Sequence, residues 1–441
     1  MKAKPPDADE YLQMQFIARQ PIFDVERRVQ AYELLFRDST ENRCAGIDPD
    51  LASQEAFDIA VLLGLDVLSE GYSLFLNCPH DFLVERYPTL FPPDFTVIEV
   101  LETVEPDEPV LAALREMKRA GYRIALDDYV DAPRFAPLVE LADIIKIDFR
   151  TTPAAVRGEL AERYNHGRRQ LLAEKIETQE ELAEAARLGF ALFQGYFFGK
   201  PEMMTTEKVP VLVDTNLRIQ RALSSPALDL IAIEQLIKSE PALCYRLLRY
   251  LQSPGFYLQT EIMSILHALA LLGENELRKW LMLMASVVAA GGEPNPEPIA
   301  RALARARFAE LLAPFVALSA SSLYLTSLFA QMERIVNRPL AKIVDEVVLP
   351  EEVREALAGE ATPLRHCQEL VAAYDRGDWR KSDSLRRRFQ IPEIELRAMR
   401  REAAVWASRM TNCDLALKDQ LSMPSHKAHA GSAPIIMLHR Q

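Results

Sequence analysis

Along the first 200 residues, short apolar runs alternate with stretches whose apolar residues recur every three or four positions. The runs predict strands at Phe16–Phe23, Val29–Leu35, Ser73–Leu76, Thr96–Val100, Arg123–Leu126, Ile144–Ile147, Gln170–Ala173 and Ala191–Phe193. Helical patterns such as Glu108–Ala120 and Gln179–Leu188 lie between most of them. That alternation signals a parallel sheet with crossover helices. The opening pair differs, because FIARQPIFD and VQAYELLFR are joined only by Glu26-Arg27-Arg28, which reads as a hairpin. Eight strands in roughly 200 residues predict a closed (β/α)8 TIM-like barrel with an irregular first hairpin. An open doubly wound sheet is the alternative, but no glycine-rich phosphate loop follows any strand.

From about Lys208 the strand pattern gives way to helical periodicity. Leu236, Ile237, Ala242, Leu243, Leu247, Leu248 and Leu251 fit helices broken at Pro241 and at Ser253-Pro254-Gly255. The expected fold class is therefore α/β plus all-α. Residues 14–205 form the barrel and 206–410 the helical domain, with a flexible N-terminus at 1–13 and an unstructured tail at 411–441.

Leu311–Met332 carries no charge and has the length of a membrane span. Pro314, Ser319, Ser321, Ser322, Thr326 and Ser327 dilute it, and Glu310 and Glu333 bracket it, so a buried core helix is expected. A net charge of -13 argues against a broad nucleic-acid or anionic-membrane surface. Five scattered cysteines without a CxxC pair exclude a cysteine zinc site and fit a reducing, cytoplasmic setting. His426, His429 and His439 are too loosely spaced to make a metal site.

Several predicted strands end on a polar residue: Asn77, Glu99, Asp127-Asp128, Glu174 and Gln194, with Lys146 and Asp148 in or just after IIKID. In a parallel barrel the C-terminal strand ends face one another across the mouth, so these groups converge. Clustered carboxylates repel unless something neutralises them. Hard divalent cations such as Mg²⁺ or Mn²⁺ suit Asp, Glu and Asn oxygens, and two of them assist phosphodiester cleavage in many sites.

The segment Tyr32-Glu33-Leu34-Leu35-Phe36-Arg37 resembles the EAL signature, with leucine at the middle alanine. Other blocks of that family follow in order: Gln20-Pro21-Ile22, Asn77, Glu99 to Glu102, Asp127-Asp128, Lys146-Ile147-Asp148, Ala173 to Thr178 and Gln194 to Pro201. The resemblance to EAL-type cyclic di-GMP phosphodiesterases covers residues 14–205 and implies hydrolysis of cyclic di-GMP to linear pGpG. It implies Glu33, Asn77, Glu99, Asp127 and Asp128 as metal ligands for Mg²⁺ or Mn²⁺. It implies Lys146 as the lysine that helps hold the water, Glu174 as general base and Glu177 as a supporting catalytic residue. Gln20, Arg37 and Gln194 would bind substrate or support the site. A homodimer through the barrel is also implied.

The chain departs from the family after Asp128. The family's loop there is Phe-Gly-Thr-Gly-like, whereas this sequence runs Tyr129-Val130-Asp131-Ala132-Pro133, without glycine. Leu101 replaces a threonine, and Lys175 stands where glycine usually comes after the base. The alternative reading is accordingly a catalytically inactive EAL-like domain that senses cyclic di-GMP or acts as an interaction scaffold.

The second half resembles an HDOD domain, a helical relative of HD-domain phosphohydrolases. The resemblance rests on Glu240-Pro241-Ala242-Leu243, where aspartate is commoner at the first position, on Ala268 to Gly273 and on LPEEVREAL. The only His-Asp doublet is His80-Asp81 in the first domain, and His267 and His366 are the only histidines between Lys208 and Met410. The HDOD half is therefore expected to be non-catalytic and to serve regulation or a protein partner, with His267 a core or interface residue.

Overall fold

The computed structural model describes residues 14–38, 48–165, 169–209, 211–212, 214–253, 256, 261–289 and 295–413. The expected flexible N-terminus, nearly all of the expected tail and the histidines of that tail lie outside them.

Nine strands form one sheet: β1 Met14–Phe23, β2 Val29–Arg37, β3 Ser73–Cys78, β4 Thr96–Val100, β5 Arg123–Leu126, β6 Ile144–Asp148, β7 Gln170–Glu174, β8 Leu192–Phe193 and β9 Glu202–Glu207. Strands β2 to β8 run parallel in sequence order. The barrel closes because β1 pairs antiparallel with both β2 and β8. The hairpin is the expected irregular start, turning on Arg27 with a left-handed φ of 63°. Strand β9, which was not expected, adds to β1 antiparallel from Met14↔Glu207 to Arg19↔Glu202. Its sequence EMMTTE lacks the apolar run by which the other strands are legible, and its burial is correspondingly incomplete.

One buried apolar residue from each of the first eight strands plugs the barrel: Ile22, Ala31, Phe75, Val97, Ala125, Ile144, Leu172 and Leu192. Strand side chains alternate faces, so the residue two positions on points the same way, one rung nearer the mouth. In the parallel strands those residues are Glu33, Asn77, Glu99, Asp127, Lys146, Glu174 and Gln194. In β1, which runs the other way, the corresponding residue lies two positions before the plug and is Gln20.

The second domain is helical. Helices Leu230–Lys238 and Pro241–Leu251 are separated at Pro241 as expected, and every residue of the latter is buried. The uncharged stretch from Leu311 is not one helix. A short helix Ala313–Val316 ends at Ala317 in the left-handed region, and Ser319 caps a new helix, Ala320–Ile335, by accepting from the Ser322 N–H. The hydroxyls that dilute the stretch are thus the ones that start a helix there. No helix among the described residues is long and apolar enough to cross a membrane. His267 is half-buried at a helix start, where its Nδ1 accepts from the Met263 N–H at 3.2 Å.

The two halves share one continuous apolar core. Its seam is helix Pro49–Leu63 of the barrel against helix Pro241–Leu251, where Tyr250 donates to the Leu90 carbonyl at 2.6 Å and Arg249 to the Leu63 carbonyl at 2.8 Å.

Candidate active site at the barrel mouth

Lys146, 1% exposed, stands at the centre of the polar rung. Its ammonium lies 2.8 Å from Asp127, 2.9 Å from Glu174 and 3.5 Å from Glu33, and it also bonds Glu99. One cation cannot neutralise four acids. Burial works against the Lys146 charge, yet Asp127, Glu174, Glu33 and Glu99 together hold its pKa well above that of an ordinary lysine. Glu99, wholly buried, is pushed well above the carboxylate range by burial and by Glu33. Burial likewise raises Glu174, to about 8.

Gln194 donates to Glu33 at 2.7 Å and fixes the orientation of that carboxylate. Four buried oxygens of the rung have no partner, Asn77 Oδ1, Glu99 Oε2, Glu174 Oε2 and Gln194 Oε1. Buried oxygens of this kind normally find a donor or a cation. Hard oxygen donors with excess negative charge fit a divalent cation such as Mg²⁺ or Mn²⁺. Ligand oxygens of Asp127, Asp128 and Glu174 lie within 4.8 Å of one another, the one such cluster among the described residues.

Backbone bonds position this rung beyond the strand ends. Asp127 N–H donates to the Val100 carbonyl, Tyr129 N–H to Lys146, Phe149 N–H to Glu174 and Ile176 N–H to Gln194. Gly195 permits the last of these, since a Cβ there would lie 2.2 Å from the Ile176 backbone. The glycine-free segment after Asp128 is tied down by a polar knot. Tyr129 and Tyr164 hydroxyls both donate to Asp131, at 3.2 and 2.6 Å, and Arg163 pairs with the same carboxylate. Asp128 itself takes a left-handed φ of 38°.

The remaining expected residues sit on the rim. Gln20, Glu177, Glu33, Asp127, Asp128, Glu174 and Gln194 line a cleft of about 300 Å³. Arg37 lines a neighbouring cavity of about 380 Å³ with Glu33, Asn77 and Asp127, and its guanidinium donates to the Phe36 carbonyl. Glu177 does not join the Lys146 cluster; it pairs with Arg150 at 2.9 Å. Leu101, in place of the family's threonine, packs half-buried against the core. Three groups carry no role in the reading of the sequence. Arg150 and Tyr196 line the cleft, and Ser53 donates to the Asn77 carbonyl at 2.9 Å. For Arg150 the clue was its place two residues beyond Asp148 at a strand end, whereas Ser53 sits in a helix with nothing to mark it.

The EAL domain model matches residues 80–201 and the HDOD domain model residues 209–372. The first match begins after Asn77, so Glu33 and Asn77 join the site through strand geometry. The chain is 32% identical over 373 residues to the uncharacterized protein YuxH of Bacillus subtilis, covering 82% of this chain and 91% of that protein. It is 31% identical over 373 residues to the cyclic di-GMP phosphodiesterase CdgJ of Vibrio cholerae, covering 82% and 85%. Among solved structures, the Bacillus subtilis YkuI protein, with an EAL domain, in complex with c-di-GMP and calcium, is 23% identical, with a TM-score of 0.36 over 43% of this chain and 56% of that one. An EAL domain protein from Listeria monocytogenes is 20% identical, with a TM-score of 0.35 over 45% and 95%. Two domain models matched in order, and two relatives above 30% identity along most of its length, place this chain in the two-domain family that joins an EAL domain to an HDOD domain.

Proposed function

We propose that this chain hydrolyses one phosphodiester bond of cyclic di-GMP to give linear pGpG, and that its HDOD half regulates the reaction or docks a protein partner. The observation that carries this reading is the rung of Glu33, Asn77, Glu99, Asp127, Lys146, Glu174 and Gln194, with four buried oxygens lacking a partner. A Mg²⁺ or Mn²⁺ ion held by Glu33, Asn77, Glu99 and Asp127 would supply Lewis-acid activation of water and neutralise phosphate charge. The two-ion form of this chemistry assigns a second position to Asp127, Asp128 and Glu174.

Glu174 accepts the proton of the attacking water, a role its place in the Asp127–Asp128–Glu174 cluster allows. Lys146 restrains the carboxylates and the water among them, and Gln194 keeps Glu33 turned inward. Water adds to phosphorus, the P–O3′ bond breaks, the released 3′-oxygen takes up a proton to become a hydroxyl, and a 5′-phosphate end remains. Gln20, Arg37 and Tyr196 lie where the dinucleotide would sit, with guanidinium geometry suited to phosphate and the Tyr196 ring to a base. Glu177 supports the cleft edge through Arg150.

Chromatographic conversion of cyclic di-GMP with Mg²⁺ or Mn²⁺, run beside Glu33→Ala, tests this. Production of pGpG that the variant abolishes supports the enzyme. No pGpG from either protein overturns it. One observation favours a second reading, an inactive sensor or scaffold: the Asp128 side is already engaged by Lys175. Tight nucleotide binding without turnover would support the sensor, and no binding the scaffold.

A further inference from the structure

Lys175 comes directly after Glu174 and takes a left-handed φ of 57°, a conformation in which glycine is at ease and lysine is not. That turn sends the side chain back over the mouth. Its ammonium lies 2.6 Å from Asp148 Oδ2 and 3.1 and 3.2 Å from the two oxygens of Asp128. Asp148, buried, is fixed in turn by the Arg150 and Thr151 N–H groups, which donate to its Oδ1 at 2.6 and 3.1 Å. Asp128 is clamped on both sides by the Asp127 and Tyr129 backbone bonds, and Lys175 by the Ile176 bond to Gln194. A positive charge on rigid supports therefore stands beside the Asp127–Asp128–Glu174 cluster, where a second divalent cation would have to bind.

Resting on the cation-assisted reading of the mouth, we propose that the Lys175 ammonium replaces the second divalent cation, so that this centre works with one metal ion and one built-in lysine charge. Like charges within a few ångströms repel, and the Asp128 carboxylate that would hold a second ion is already bonded at both oxygens. An ammonium neutralises and hydrogen-bonds a phosphate oxygen but does not acidify water as a metal does. Water activation then falls to the single ion and Glu174, while Lys175 meets the charge that builds on phosphate.

Equilibrium dialysis of the full chain against Mn²⁺, with the electron paramagnetic resonance spectrum of the bound ion, reads this directly. The native protein is expected to hold one Mn²⁺ per chain with an uncoupled spectrum. Lys175→Gly, which suits the left-handed backbone, and Lys175→Gln, which keeps a side chain, are expected to hold two, with the broadened signal of a coupled pair and at least a 100-fold gain in affinity at the second position. Two ions in the native protein, or one in both folded variants, would overturn the inference and leave the phosphodiesterase reading standing. No Mn²⁺ in the native protein would instead remove the metal centre on which both rest.

Discussion

Arg246 of the helical domain grips Asp58 of the barrel through two hydrogen bonds, 2.7 and 3.0 Å long, with both side chains sealed from water. The same guanidinium reaches the Val209 carbonyl, in the segment that joins the two domains. Helix Pro49–Leu63, which carries Asp58, also carries Ser53, whose hydroxyl holds the Asn77 carbonyl at the polar rung. One helix thus touches the HDOD half with one side chain and the site with another.

Removing either partner leaves the other charge buried alone. Arg246→Ala and Asp58→Ala should each cost about 3–5 kcal/mol. Urea unfolding of the full chain measures this, and the double variant should lose less than the two single losses added together. Singles that unfold like the native protein would show that the pair bears no load.

Ser53→Ala should leave stability within about 1.5 kcal/mol of native, the scale of one neutral hydrogen bond. By freeing the Asn77 backbone it should weaken Mn²⁺ binding about 10-fold, in the range of groups that support a ligand from behind. Isothermal titration with Mn²⁺ decides the matter, and unchanged affinity would dismiss Ser53 as a positioning residue.

Glu240 is wholly buried, accepting from the Leu212 N–H at 3.0 Å and the Thr215 hydroxyl at 2.8 Å, and burial raises its carboxyl from 4.5 to about 7. The folded chain thus keeps a proton that the unfolded chain releases. The stability this provides is complete below about 4.5 and is lost as pH rises through about 7. Glu240→Gln, neutral at every pH, should therefore gain up to roughly 3 kcal/mol over the native protein at pH 8 and less than about 1 kcal/mol at pH 5. Paired unfolding curves at the two pH values test the sign, and an equal effect at both would refute it.

Gly195→Ala should destabilise by more than about 1 kcal/mol, because the added methyl meets the Ile176 backbone in a left-handed conformation. Since Ile176 anchors the Lys175 turn, turnover should fall together with the melting temperature. An active variant of native melting temperature would contradict that account.

Much of this was legible in the chain. The eight barrel strands announce themselves by apolar runs, with Thr96–Val100 and Arg123–Leu126 matching to the residue. The polar residues at or near the ends of several runs are the ones the barrel brings to the mouth, because a period of two links them to the plug. Strand β9 was not legible, since Glu202–Glu207 takes its place from the free edge of β1 rather than from its own composition. The Arg246–Asp58 pair joins residues 188 positions apart, and no local pattern marks such a partnership. Lys175 could be seen to displace a glycine, but its reach to Asp128 and Asp148 depends on a backbone torsion that only the folded chain fixes.

The two-residue step between plug and rung gives the barrel something like a reading frame. Deleting or inserting one residue inside a strand would swing its rung side chain out against the helices and turn a neighbour inward. Changes of length are therefore admissible in the loops and forbidden in the upper half of the strands. Any variation in the chemistry of this mouth has to come by exchanging one side chain for another in place.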